Sequence, residues 1–191
     1  MNLSSVASCL RAPVARLSLA AAVALAAVSA ATARETPVGK PQMQAGMEIA
    51  AVYLQPVEME PAGMMPAPHD SDIHLEADIR AARDNPNGFA EGDWIPYLGV
   101  RFELVRLGSD WKRTGALMPT VANDGPHYGD NVRLDGPGKY RLTLFIDPPT
   151  ASPDVHFGRH VDPETGVGPW FRPLTVSWEF AWAGAGKKGG Y

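Results

Sequence analysis

Leu174-Thr175-Val176-Ser177-Trp178-Glu179-Phe180-Ala181-Trp182 is the stretch on which the fold turns. Large apolar residues take every second position, and this period of two lines all five of them up on one face of an extended strand. The same geometry recurs upstream. Tyr140, Leu142, Leu144 and Ile146 alternate with Arg141 and Thr143, and Leu98, Val100, Phe102 and Leu104 alternate with Gly99, Arg101 and Glu103. Ile49 to Leu54 and Ile73 to Ile79 are two further candidate strands, and a short helix is expected over Asp78 to Arg83, before the Asn85-Pro86 break.

Turn-formers separate these runs: Asp84-Asn85-Pro86-Asn87-Gly88, Asn123-Asp124-Gly125-Pro126, Asp135-Gly136-Pro137-Gly138 and Asp147-Pro148-Pro149. With 19 glycines and 18 prolines in 191 residues, long helices have little room. The expected class is all-β, an antiparallel sandwich in which two sheets bury their alternating faces against each other. Met59 to Pro68 is too rich in proline for a strand and too apolar for an ordinary linker, and reads as an ordered loop over the sheet. The glycine and lysine tail, residues 184–191, reads as disordered.

The amino-terminal segment has Arg11 and Arg16 without an acid, an apolar run from Leu17 to Val28, and Ala31-Thr32-Ala33. That order is the one expected of a secretory signal peptide cleaved near Ala33, leaving residues 34–191 as one exported domain. An apolar run of about a dozen residues falls short of the roughly 20 needed to span a bilayer. Without residues 1–33 the chain has 15 basic and 21 acidic residues, a formal net charge of −6. Such a chain lacks the basic footprint of a nucleic-acid binder and favours cations as partners. The sole cysteine, Cys9, lies in the signal segment, so the exported chain has neither a disulfide nor a thiolate ligand.

Three of the five histidines, His74, His127 and His160, sit in unusual short segments, which points to a metal site built from imidazole, carboxylate and thioether. On a strand, His74, Glu76 and Asp78 share the face opposite Ile73, Leu75, Ala77 and Ile79. Such a face can equally be a solvated exterior. Met118-Pro119 is expected to close a strand, with His127 nine positions on in a loop, so a thioether and an imidazole could meet, although Met118 is also ordinary core filler. His156 and His160 have helical spacing, but Gly158 argues against a helix there. A zinc-deaminase reading of His74-Leu75-Glu76 fails for want of the Pro-Cys-x-x-Cys partner.

The chain resembles the periplasmic high-affinity iron-uptake proteins that work beside a bacterial inner-membrane iron permease. The segments that carry the resemblance run through nearly all of the exported chain: Val52-Tyr53-Leu54-Gln55-Pro56-Val57 with Met59-Glu60-Pro61, Asp72-Ile73-His74-Leu75-Glu76-Ala77-Asp78-Ile79, Asn85-Pro86-Asn87-Gly88-Phe89, Leu117-Met118-Pro119, Asp124-Gly125-Pro126-His127-Tyr128-Gly129, and Gly158-Arg159-His160-Val161-Asp162 followed by Glu164-Thr165-Gly166-Val167-Gly168. The resemblance implies an immunoglobulin-like β-sandwich, a homodimer, and a site for copper and/or iron whose ligands are His74, Met118, His127 and His160. It further implies that His160 comes from the second protomer, that Glu76 is an alternative or additional ligand, and that Asp124 accepts a hydrogen bond from a ligand histidine. The expected role is delivery of iron to an inner-membrane permease complex, not catalysis. Two other functions suit the same residues: periplasmic copper handling for its own sake, and a metal-independent immunoglobulin-like interaction module. No flavin, nicotinamide or haem-attachment motif is present.

Overall fold

The computed structural model of the chain describes residues 35–184, so the expected signal peptide and all but the first residue of the expected tail lie outside the described residues. Nine strands make up the fold: β1 (Thr36–Pro37), β2 (Gln42–Gln44), β3 (Met47–Leu54), β4 (Ile73–Ala81), β5 (Gly99–Arg106), β6 (Lys112–Ala122), β7 (Gly125–Val132), β8 (Gly138–Asp147) and β9 (Leu174–Trp182). Every pairing is antiparallel, in the order β1-β3-β4-β7-β6-β5-β8-β9, with β2 also on β3. Strand β6 joins the two sheets. Its residues 112–117 pair with β5, and its residues 118–122 pair with β7.

The result is the immunoglobulin-like antiparallel sandwich. One inner face presents Met47, Ile49 and Ala51 of β3, Ile73, Leu75, Ala77 and Ile79 of β4, and Tyr128 and Val132 of β7. The other presents Val100, Phe102 and Leu104 of β5, Tyr140, Leu142, Leu144 and Ile146 of β8, and Val176, Trp178, Phe180 and Trp182 of β9. These are the alternating positions of the sequence. At about 25 cal/mol per Å² of buried apolar surface, the two facing rows are the main favourable contribution to folding.

Three local expectations change. Asp78 to Arg83 does not become a helix, because residues 78–81 continue β4, pairing Ala81 with Met47 and Arg80 with Glu48 while Ile79 enters the core. Cross-strand packing overrides local preference there. Met118-Pro119 does not close its strand, which runs on to Ala122. Pro119 is tolerated because this half of β6 has a strand neighbour, β7, on one side only. His127 is not in a loop. Asn123 and Asp124 alone make the turn, Gly125 takes a φ of +127° beside it, and His127 lies within β7.

Tyr128 anchors that part of β7. Its hydroxyl donates to the Ile95 carbonyl (2.8 Å) and accepts from the Leu98 N–H (3.0 Å), with the ring fully buried. Since neighbouring side chains on a strand point to opposite faces, Tyr128 in the core turns His127 outward.

Candidate metal centre

Strand β4 sends His74, Glu76 and Asp78 to the face away from the core, yet His74 is 1% exposed, Glu76 6% and His127 5%. What buries them is the β3–β4 connection. Leu54, Val57, Glu58 and Met59 wall one side of a cleft of about 560 Å³ over the sheet, with Val121, Ala122 and Asp124 on another side and His74, Glu76 and His127 beneath. The ordered loop expected over the sheet is therefore the cover of the site.

Register brings the three polar side chains together. Glu76 pairs with Gly129, His74 with Asn131, and Thr120 with His127, so alternate residues of β4, β7 and β6 converge on one outer patch. His74 Nε2 is 3.5 Å and His127 Nε2 3.4 Å from the same Glu76 oxygen, Oε1, and the three ligand atoms lie within 4.8 Å of one another. A metal with bonds of about 2.1 Å in tetrahedral coordination sets its ligand atoms about 3.4 Å apart, so this donor set fits a metal.

Gly129 keeps the cradle open. A Cβ at that position would lie 2.6 Å from His74 Nε2 and 3.4 Å from His127 Cδ2, which is the space where the three ligand atoms meet. Gly129 has no left-handed backbone angle, so the need for glycine here is spatial rather than conformational.

Asn131 orients His74. Its Nδ2 donates to the carbonyls of Val57 and Pro66, both at 2.8 Å, and its Oδ1 accepts from the Val57 N–H at 3.1 Å. The remaining neighbour of Oδ1 is His74 Nδ1, at 3.0 Å. A carboxamide oxygen has no proton to give, so Nδ1 carries the hydrogen and Nε2 presents its lone pair to the cradle.

Burial also sets the charge state. It lowers the His74 imidazole to about 4, with His127 adding to the effect, and lowers His127 against the pull of Asp78 and Asp124. The Glu76 carboxyl is pushed up to about 8, first by burial and then by Glu35, Asp78 and Asp124. Although the two His–Glu76 distances are within ion-pair reach, the group near neutral pH is thus two neutral imidazoles around a protonated carboxyl. A second cleft of about 320 Å³, lined by Glu35, Glu48, Asp78, Arg80 and Asp124, adjoins it through Glu76 and His127.

The expected ligands divide. His74, Glu76 and His127 converge. Met118 stands on the outer-facing register opposite Gly129 but does not wall the cleft, whereas Met59 does. His160 is apart from the cluster, 74% exposed, its Nδ1 2.8 Å from Thr165 Oγ1 and 3.9 Å from Asp162. Asp124 lines both clefts beside Glu35, and the acceptor that holds His74 is Asn131. Asn131 and Gly129 were missed, and their signal was the period-two series His127, Gly129, Asn131, visible once residues 125–132 are taken as a strand.

A family model described as Fe2+ transport protein matches residues 32–184. A UPF0423 protein of Brucella abortus (strain 2308) is 65% identical over 169 residues, 88% of this chain and 93% of its own length. Among solved structures, the copper-reconstituted P19 protein from Campylobacter jejuni is 50% identical with a TM-score of 0.77, covering 81% of this chain and 99% of that one. A copper-bound Glu-to-Gln variant of FetP from uropathogenic Escherichia coli strain F11 is 46% identical with a TM-score of 0.77, covering 83% of this chain and 98% of that one.

The cradle makes Gly129→Ala a selective lesion. The added methyl is compatible with the strand backbone but occupies the meeting point of the ligand atoms, so Cu(II) affinity measured by calorimetry is expected to fall at least 100-fold with the circular dichroism spectrum unchanged. Undiminished affinity would mean the metal binds elsewhere.

Charge state gives a stability prediction for the metal-free protein. Glu76 is raised on folding, so between its ordinary 4.5 and about 8 the folded state holds the extra proton, and stability falls as pH rises through that window. His74, lowered from 6.5 to about 4, acts in the opposite sense between those values, and His127, lowered as well, adds to it below 6.5. The histidines oppose the Glu76 slope only below about pH 6.5, which leaves Glu76 a loss of about 2 kcal/mol between pH 6.5 and 8, at about 1.4 kcal/mol per pH unit. Thermal unfolding at pH 6.5 and 8.5 should show a midpoint several degrees lower at the higher pH, and Glu76→Gln should flatten the difference. A level wild-type midpoint contradicts a buried neutral carboxyl.

Proposed function

Because the chain belongs to the Fe2+ transport protein family, we propose that it is an exported, periplasmic carrier of a high-affinity iron-uptake system that binds copper or iron at the His74, Glu76 and His127 cradle and hands iron to an inner-membrane permease complex. The family is one of metal-transport proteins rather than enzymes. The observation that carries the reading is the convergence of two neutral imidazoles and a carboxyl, buried and kept apart from any filling side chain by Gly129. Two imidazoles suit copper and ferrous iron alike, and the carboxylate adds the harder oxygen that iron prefers. Among the described residues no helix is long and apolar enough to cross a membrane.

Completion of the shell belongs to the same proposal. Thioether comes from Met118, across the gap that Gly129 leaves, or from Met59 at the cleft wall, and His160 comes from the second protomer of a homodimer. The exposure of His160 in one chain supports the latter, since its imidazole is available to a neighbouring copy. The acidic rim of Glu35, Asp78 and Asp124 gives the approach a negative potential that concentrates cations.

Copper-bound relatives favour a second reading, in which the protein manages copper itself. Calorimetric titration of metal-free protein with Cu(II) tests the site. The wild type is expected to bind stoichiometrically, and the double variant His74→Ala with His127→Ala to stay folded and lose that binding; equal titration curves would sink the assignment. Growth of a deletion strain separates the two roles. A defect relieved by added iron is expected for iron delivery, and copper sensitivity with normal growth under iron limitation would replace it by copper handling.

A further inference from the structure

Asn131 is wholly buried, carries no charge, and spends all its hydrogen-bonding capacity on two things at once. One amide edge grips the cover of the cleft, through the Val57 and Pro66 carbonyls, and the other grips Val57 N–H and the His74 ring. Three backbone partners of known polarity leave the carboxamide only one orientation, because its NH2 end must face the carbonyls and its oxygen the N–H. That orientation dictates the His74 tautomer. We infer that Asn131 is the positioning residue of this centre: it holds His74 as the Nδ1–H tautomer with Nε2 free for a metal, and couples that readiness to closure of the β3–β4 connection over the cleft.

The physical consequence is a linkage between two states of one side chain. With the cover down, Asn131 is oriented by Val57 and Pro66, and Nε2 is a ready donor. With the cover lifted, the carboxamide loses three partners, can rotate, and no longer dictates which ring nitrogen holds the proton. An Nε2–H tautomer cannot ligate through that atom, so lifting the cover both exposes the site and weakens it. Capture with the cover down and release with it lifted is the behaviour a carrier needs. Metal binding and cover closure must then favour each other by the same factor.

The inference rests on the reading of this cluster as a metal site, but its first test does not. In metal-free protein at pH 8, the ¹⁵N shifts of the His74 ring report the tautomer directly, and amide hydrogen exchange at Val57 reports the cover. The wild type is expected to be the Nδ1–H tautomer with Val57 protected. Asn131→Asp separates the two roles, because a carboxylate still accepts from His74 and Val57 but cannot donate to the two carbonyls. It should keep the tautomer and the protection of Val57 while Cu(II), no longer held under a cover gripped at both carbonyls, dissociates at least tenfold faster. Asn131→Leu removes both grips and should give mixed tautomers and at least a tenfold loss of Cu(II) affinity. Should the leucine variant fail to fold, the aspartate variant decides alone.

An Nε2–H tautomer in the wild type overturns the inference, as does unchanged Cu(II) dissociation in the aspartate variant or an unchanged tautomer and affinity in the leucine variant. A wild type that binds no Cu(II) would instead end the metal reading, and would leave the tautomer and exchange results standing as an account of the apo protein.

Discussion

The structure depends on one constraint: two imidazoles and a carboxyl are held out of water on the outer face of a sheet, where a sandwich ordinarily meets solvent. Taking polar groups from water costs several kcal/mol each unless partners are supplied. Here the cost is met in two ways. Burial drives all three groups to their neutral forms, and Asn131 satisfies the ring nitrogen that faces away from the cradle. The cover over the cleft is tied down by the same carboxamide, so the group that makes burial tolerable is also the group that enforces it.

Sheet register supplies the geometry. Three neighbouring strands each give alternate residues to the outer patch, and the pairing of Gly129 with Glu76 on one side and Met118 on the other puts a carboxyl beside an empty position. A strand framework is stiff enough to hold ligand atoms to within a fraction of an ångström, which loops seldom achieve. The core beneath the patch does that work. Tyr128, the inward neighbour of His127, is pinned by two backbone hydrogen bonds, and Ile73, Leu75 and Ala77 flank His74 and Glu76 along β4. The core and the candidate site therefore share the same strands on opposite faces.

Neutral side chains in the cradle and acidic surroundings divide the electrostatic labour. The rim carboxyls favour cations at the cleft, and in the proposed site the two neutral imidazoles would ligate without losing a proton whereas the Glu76 carboxyl would release one. Glu76 links the two regions, since Glu35, Asp78 and Asp124 all raise it and it sits between the imidazoles.

Much of this was legible in the sequence. Period-two alternation located β4, β5, β8 and β9 and their buried faces, and it assigned His74 and Glu76 to the face opposite Ile73 and Leu75, because side-chain direction along a strand is a local property of the backbone. The confinement of the sole cysteine, Cys9, to the expected signal segment narrowed the ligands to imidazole, carboxylate and thioether. Burial of that outer face was not local, since it came from Val57, Met59 and Pro66 packing across β4 from a connection whose own pattern names no partner. Nor was β7, whose proline and glycines disguise a strand, and with it went Asn131, Gly129 and the strand position of His127. Alternation can be read along one strand; which strand lies beside it, and what closes over both, is decided by long-range packing alone.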